Sequence, residues 1–306
     1  MNKKTVMIDI LPFFLMGGLF VLIDFFALLV AESFEAAGEF AFENPSDPLN
    51  LVYFFSTLLF FTALILLISK FWKKQAVQGI VLVATGVLDL YVFYPLLVMV
   101  APEAWALGLS IAATAILLIM LVKYPEWYVI DISCILTGVG SIAILGISLS
   151  IFLVIVMLIG MSIYDAISVY KTKHMIDLAD TLVDLRLPVL FVIPKRREYS
   201  LVNETKSLKE KLREGEERDA FFMGVGDVVI PGILAASAFH NFTSNGFLIA
   251  LSVMLGTLLG FTVLMASVIK GNPQAGLPYL CTGAILGYLV SSFSVFGGIV
   301  GLTLLI

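Results

Sequence analysis

Apolar runs long enough to cross a lipid bilayer recur along this chain, and they leave it few folds. Inside hydrocarbon the backbone amides must be paired within the segment, which a helix does, and ~20 residues at ~1.5 Å each span a core of about 30 Å. Such runs lie at about 8–31, 49–70, 76–100, 103–122, 127–145, 148–171, 219–240, 246–269 and 278–304. Hydrophobic side chains make up 60% of the 306 residues and charged ones 13%, with a mean hydropathy of +1.05, far from the composition of a soluble domain. The expected fold is an all-α integral membrane protein with nine transmembrane helices. The first run is too long for the h-region of a signal peptide and is expected to stay as a helix.

The eighteen Lys and Arg residues orient these helices. With nine spans and an inner N-terminus, all of them fall at one face, from Lys3, Lys4, Lys70, Lys73 and Lys74 to Lys270, while the opposite loops carry Glu32, Glu35, Glu39, Glu43, Asp47 and Glu103. Positive charge stays on the cytoplasmic side, so the N-terminus is expected to be cytoplasmic and the C-terminus outside. A missed span would scatter the charges over both faces. One inner loop is long and divides the chain into a six-helix part (1–171), a cytoplasmic loop (172–218) and a three-helix part (219–306). The loop opens on an expected interfacial helix with Asp177, Asp180 and Asp184 on one face and Leu178, Leu182 and Leu185 on another. It continues through LPVLFVIP, between Pro188 and Pro194, and closes on a charged linker.

Several chemistries are disfavoured. Cys134 and Cys281 lie inside apolar runs and read as filler, with no redox motif. His174 and His240 are isolated and no H-E-x-x-H occurs, which speaks against a membrane zinc hydrolase or serine protease. No metal and no cofactor is expected. The bilayer is the partner that the composition demands, and nothing points to nucleic acid.

Carboxylates inside a bilayer are costly and mark function. Five qualify: Asp24, Asp89, Asp131, Asp165 and Asp227. Asp165 lies six residues before Lys171, about 9 Å deep, and Asp227 nine after Arg218, about 13 Å deep. They occupy similar layers on the helices joined by the long loop. Asp24 and Asp89 sit at about 22 Å, in the outer half, and Asp131, one turn past Trp127 and Tyr128, is expected to snorkel to the inner surface. Ser162, Asp165, Ser168 and Thr172 form a polar stripe at helical spacing, and Gly224, Asp227, Pro231 and Ala235 a face of small residues open to a close neighbour. Two carboxyls in one low-dielectric site share a proton, and such a pair can activate water as base while polarising a carbonyl as acid. The rival reading is a proton- or cation-coupled transporter or channel using the scattered carboxylates.

Tyr164-Asp165 and Gly224-Val225-Gly226-Asp227 resemble the Tyr-Asp and Gly-x-Gly-Asp motifs of the presenilin and signal peptide peptidase family of intramembrane aspartyl proteases. The resemblance extends over nearly the whole chain, in helix number and in the loop between helices six and seven. It implies an aspartic endopeptidase that cleaves transmembrane segments of single-span proteins, with Asp165 and Asp227 catalytic, water as nucleophile and no cofactor. The family's Pro-Ala-Leu is absent verbatim; the preferred register sets Ala275-Gly276-Leu277 against it, followed by Pro278, and the rival sets Pro278-Tyr279-Leu280. By resemblance this stretch supports the aspartates with Tyr164, Gly224 and Gly226, and LPVLFVIP lies near the active site in a loop that presenilins cut themselves. The inner N-terminus is similar to presenilins. Accessory subunits and self-association are left open, and the membrane expected is the cell membrane. Gly256-Thr-Leu-Leu-Gly260 is expected to serve packing within the chain.

Overall fold

The computed structural model describes residues 3–71, 74–172, 186–195, 199–202, 219–242, 244–268 and 274–302. Nine α-helices are among them: α1 (Lys3–Ala36), α2 (Leu49–Phe71), α3 (Lys74–Val98), α4 (Glu103–Lys123), α5 (Trp127–Ser148), α6 (Ile151–Ile167), α7 (Val225–Asn241), α8 (Gly246–Val268) and α9 (Leu277–Phe296). Among the residues that the structure describes fully, seven helices are long and apolar enough to cross a membrane, α6 together with the first residues of a π-helical segment, Ser168–Thr172, and α2 contributes the apolar stretch Leu49–Leu64. The expected interfacial helix, His174 and most of the charged linker lie outside the described residues.

The helical class holds with one addition, an antiparallel pair of strands, β1 (Leu190–Pro194) and β2 (Ala220–Gly224). The run expected to be helical over 219–240 is therefore extended in its first residues, and Gly224 ends a strand instead of sharing a helix face with Asp227. Phe221 and Phe222 suit a pleated surface, and Gly224 weakens a helix at that point. Register pairs Val192 with Phe222. Val225 donates to the Val189 carbonyl at 3.1 Å and Lys195 to that of Asp219 at 2.8 Å, so the odd-numbered residues of β1 carry the ladder bonds. The even-numbered peptide groups, including those of Val192 and Phe222, point to the two outer edges. Pro194, without an N–H, occupies such an outward place.

Two compact units are distinguished. The first comprises residues 1–19, 72–137 and 173–225, the second 20–71, 138–172 and 226–306. In the first, α5 holds β1, and the residue before α5 holds the segment that follows β1. Val192 donates to Asp131 Oδ1 at 2.8 Å, while Glu126 accepts from the Ser200 hydroxyl at 2.7 Å and the Leu201 amide at 3.1 Å. Asp131 thus caps the outer edge of β1; it does not snorkel to the surface, because a strand amide offers its carboxyl a partner within the fold. Asp131→Ala leaves the buried Val192 amide without an acceptor, at a cost of about 1–3 kcal/mol. Hydrogen exchange at Val192 should rise about tenfold or more, and Asp131→Asn, which keeps the acceptor, should restore most of the protection.

In the second unit, α8 and α9 touch backbone to backbone. A Cβ on Gly256 would lie 2.2 Å from the Gly283 carbonyl oxygen, and one on Gly260 2.3 Å from that of Tyr279. The GxxxG spacing thus serves packing within the chain, as expected. On α7, a Cβ on Gly232 would come within 2.3 Å of Asp24 Oδ1 and 2.7 Å of Ile142 Cδ1, so the missing side chain makes room for the α1 carboxyl. The last helix stops at Phe296, short of the expected 304, where Gly297 turns left-handed (φ 69) and donates to the Phe293 carbonyl at 2.9 Å.

Candidate active site

Asp165 sits in the last turn of α6, on a buried line with Met161 and Val169. Its partner is backbone: Leu277 N–H donates to Asp165 Oδ2 at 3.0 Å, and the Gly276 amide also interacts with this carboxyl. Ser162, one turn earlier, donates to the Leu158 carbonyl at 2.8 Å and approaches that of Leu277 at 3.5 Å. From Ser168 the helix widens to π geometry, and the Thr172 side chain of the expected polar stripe lies outside the described residues. Tyr164 lies off the buried line and is 40% exposed.

Asp227 stands in the first turn of α7 and is partly buried. A Cβ on the preceding Gly226 would meet nothing within 4 Å. Among the described residues, space is thus left at Gly226 beside Asp227.

The two carboxyls converge on the start of α9. Gly276 is its N-cap and Pro278 lies in the first turn, where a missing N–H costs no helix bond. Leu277 holds Asp165, and a Cβ on Gly276 would lie 3.5 Å from Asp227 Oδ1 and 3.6 Å from Oδ2. Leu277 thereby meets Asp165, and Gly276 lies against both carboxyls. Ala275 is fully buried beside them. The stretch is tied further by Gln274 Oε1, which accepts from the Tyr170 hydroxyl at 2.9 Å and that of Tyr279 at 3.4 Å. Tyr279 turns its carbonyl to Gly260 of α8.

Sequence reasoning missed two members of this neighbourhood. Cys281, one turn beyond Leu277, is buried close to Ser162, Asp165 and Asp227. Its i+4 relation to Leu277 was the available signal. Gln274 carried none, being an ordinary loop glutamine. Asp24, Asp89 and Asp131 do not join this site. Among the described residues no three His, Cys, Asp or Glu side chains are grouped to hold a metal ion.

Two carboxyls, one on α6 and one on α7, thus meet at the start of α9 in a chain with seven membrane-length helices among its described residues. The family model described as signal-peptide peptidase, presenilin aspartyl protease matches residues 17–298. Two solved structures of a presenilin family intramembrane aspartate protease are similar. The one in a P2 lattice is 32% identical over 90% of this chain and 96% of its own, with a TM-score of 0.66. The one in a C222 lattice is 33% identical over 92% and 98%, with a TM-score of 0.69. No curated protein matches the chain. The chain belongs to the signal-peptide peptidase and presenilin family of aspartyl proteases. It is an integral membrane protein, and its class acts on transmembrane segments within the bilayer.

Proposed function

We propose that this chain hydrolyses peptide bonds within the membrane segments of single-span proteins, with Asp165 and Asp227 as the catalytic pair and water as the nucleophile. The observation that carries the proposal is the start of α9, where Leu277 bonds one carboxyl and Gly276 abuts the other. One carboxylate takes a proton from water as its oxygen attacks the scissile carbonyl carbon, and the other, as acid, protonates the carbonyl oxygen. The resulting gem-diol collapses with cleavage of the C–N bond and proton transfer to the leaving amine. The proton for the amine comes from the carboxyl that took it from water, the other carboxyl takes a gem-diol hydroxyl proton, and both thereby return to their starting states.

The register Ala275-Gly276-Leu277 is the one we assign to the family's Pro-Ala-Leu. A methyl group at 276 would touch the Asp227 carboxyl at ordinary van der Waals distance, so alanine suits that position. Gly276→Ala should leave cleavage within about threefold, whereas Gly276→Val, with two further methyls against the carboxyl, should lower it by about tenfold or more. Peptide hydrolysis by purified variants of matched stability checks both.

Substrate approaches as an unwound segment, since helical amides are already bonded. LPVLFVIP contributes β1, which pairs with β2 of its own chain. Among the described residues β2 is the edge strand opposite the Asp131 side of β1, and Asp227 follows three residues after Gly224 in the chain. Gly226 leaves the space beside Asp227 open.

The lysine and arginine distribution supports nine spans with residue 1 in the cytoplasm and the C-terminus outside, in six helices, a loop and three more, and substrates whose N-termini face outward. The membrane in view is the cell membrane.

Proteoliposomes holding the purified protein and a single-span test protein decide the matter. Products cut within the span, suppressed by a transition-state mimic of aspartyl proteases, are expected. Intact substrate together with carboxylate-dependent ion flux would replace this reading by the transporter.

A further inference from the structure

The first unit contains a layer of polar atoms that the protein itself does not satisfy. Asp89 of α3 is fully buried, and neither of its carboxyl oxygens has a hydrogen-bond partner among the described residues. The hydroxyls of Thr114 on α4 and of Ser133 and Thr137 on α5 are buried and unpartnered as well. A helical threonine ordinarily returns its proton to the carbonyl one turn back, as Thr62 and Thr257 do. Thr114 and Thr137 forgo that bond.

Asp89, Thr114 and Thr137 lie at one depth, which brings Asp89 nearer the α4–α5 connection than its count from Lys74 implied. Gly86 faces Leu118 across the α3–α4 contact, where a Cβ would lie 2.8 Å from Leu118 Cδ1, so Asp89, three residues on, is level with about residue 115 of the antiparallel neighbour. Thr114 is nine residues before Lys123 and Thr137 ten after Trp127, each about 14–15 Å from the short connection between α4 and α5. The Thr137 hydroxyl approaches the Asp89 carboxyl without reaching hydrogen-bond geometry. Thr114 belongs to the buried stripe of α4.

One carboxyl and several hydroxyls, all hard oxygen donors, orphaned together in an apolar interior, describe a site that awaits a ligand. Its charge selects the ligand. A single carboxylate neutralises one positive charge, whereas a divalent ion would leave a net charge stranded in hydrocarbon. The oxygen donors also disfavour soft metals, and the described residues contain no metal-binding trio of His, Cys, Asp or Glu. We propose that α3, α4 and α5 bind a monovalent cation of sodium size at Asp89, with Thr137 and Thr114 as further oxygen ligands. Bound there, the cation ties three helices of the first unit together. This role is separate from the aspartates on α6 and α7.

The test uses the full chain in detergent, with unfolding temperature as readout. Sodium chloride should raise the midpoint over choline chloride at equal ionic strength, by about 3 °C at a tenfold excess over the dissociation constant and further with log concentration. Asp89→Asn should abolish the increment, and Thr137→Val should reduce it. Equal midpoints in sodium and choline overturn the proposal, as does an increment unchanged in Asp89→Asn. Should Asp89→Asn fail to fold, an increment unchanged in Thr137→Val overturns it instead. An equal rise in potassium chloride overturns the sodium-size assignment. Because proteolysis is not the readout, these outcomes stand whether or not the chain cleaves its substrate.

Discussion

Asp165→Asn and Asp227→Asn are each expected to lower cleavage of a single-span substrate by at least about 10³-fold, while the protein stays folded. An asparagine keeps the size of the side chain and still accepts from Leu277 N–H, so the packing at the start of α9 survives. It cannot take a proton from water or return one to a carbonyl oxygen, and each of those transfers is worth about 10²–10⁴-fold. The double variant should be little worse than either single one, since the groups act as a unit. Product formation in proteoliposomes, with unfolding midpoints measured alongside, checks this. A single variant that retains a tenth of the activity excludes the pair as the proton-transfer machinery.

Gly256→Val costs stability throughout the second unit. The new Cβ would enter the space of the Gly283 carbonyl, 2.2 Å away, and backbone cannot rotate aside as a side chain can. The two helices must separate along their seam, with a loss of about 3 kcal/mol or more. Because α9 also presents Gly276 and Leu277, cleavage should fall together with the unfolding midpoint. Gly108→Val offers the control: a Cβ there meets nothing within 4 Å, and the variant should differ from the parent by only about 0.5 kcal/mol, the small β-branched penalty of an exposed helix position. Equal stability of the two variants would show that the α8–α9 seam does not carry the load assigned to it.

The helical membrane class and the two aspartates were legible in the sequence for one physical reason. Hydrocarbon forbids unpaired backbone and penalises charge, so long apolar runs imply helices and a carboxylate within one stands out against its surroundings. Gly256 and Gly260 were legible on similar grounds, through their four-residue spacing. Strand β2 was not, because Ala-Phe-Phe-Met within an apolar stretch has the composition of helix and strand alike. What makes it a strand is Leu190–Pro194, some thirty residues earlier, and only the fold brings that partner alongside. For the same reason the sequence sent Asp131 to the membrane surface, while the structure bonds it to Val192. Cys281 and Gln274 become neighbours of the aspartates through the docking of α9, which no local pattern announces. The sequence by itself thus determined the solvent, the helical class and the identity of the costly groups, since those follow from transfer free energies residue by residue. The tertiary structure alone decided which amide meets which carboxyl, because a hydrogen bond depends on positions to within a few tenths of an ångström, and these come from packing between distant segments.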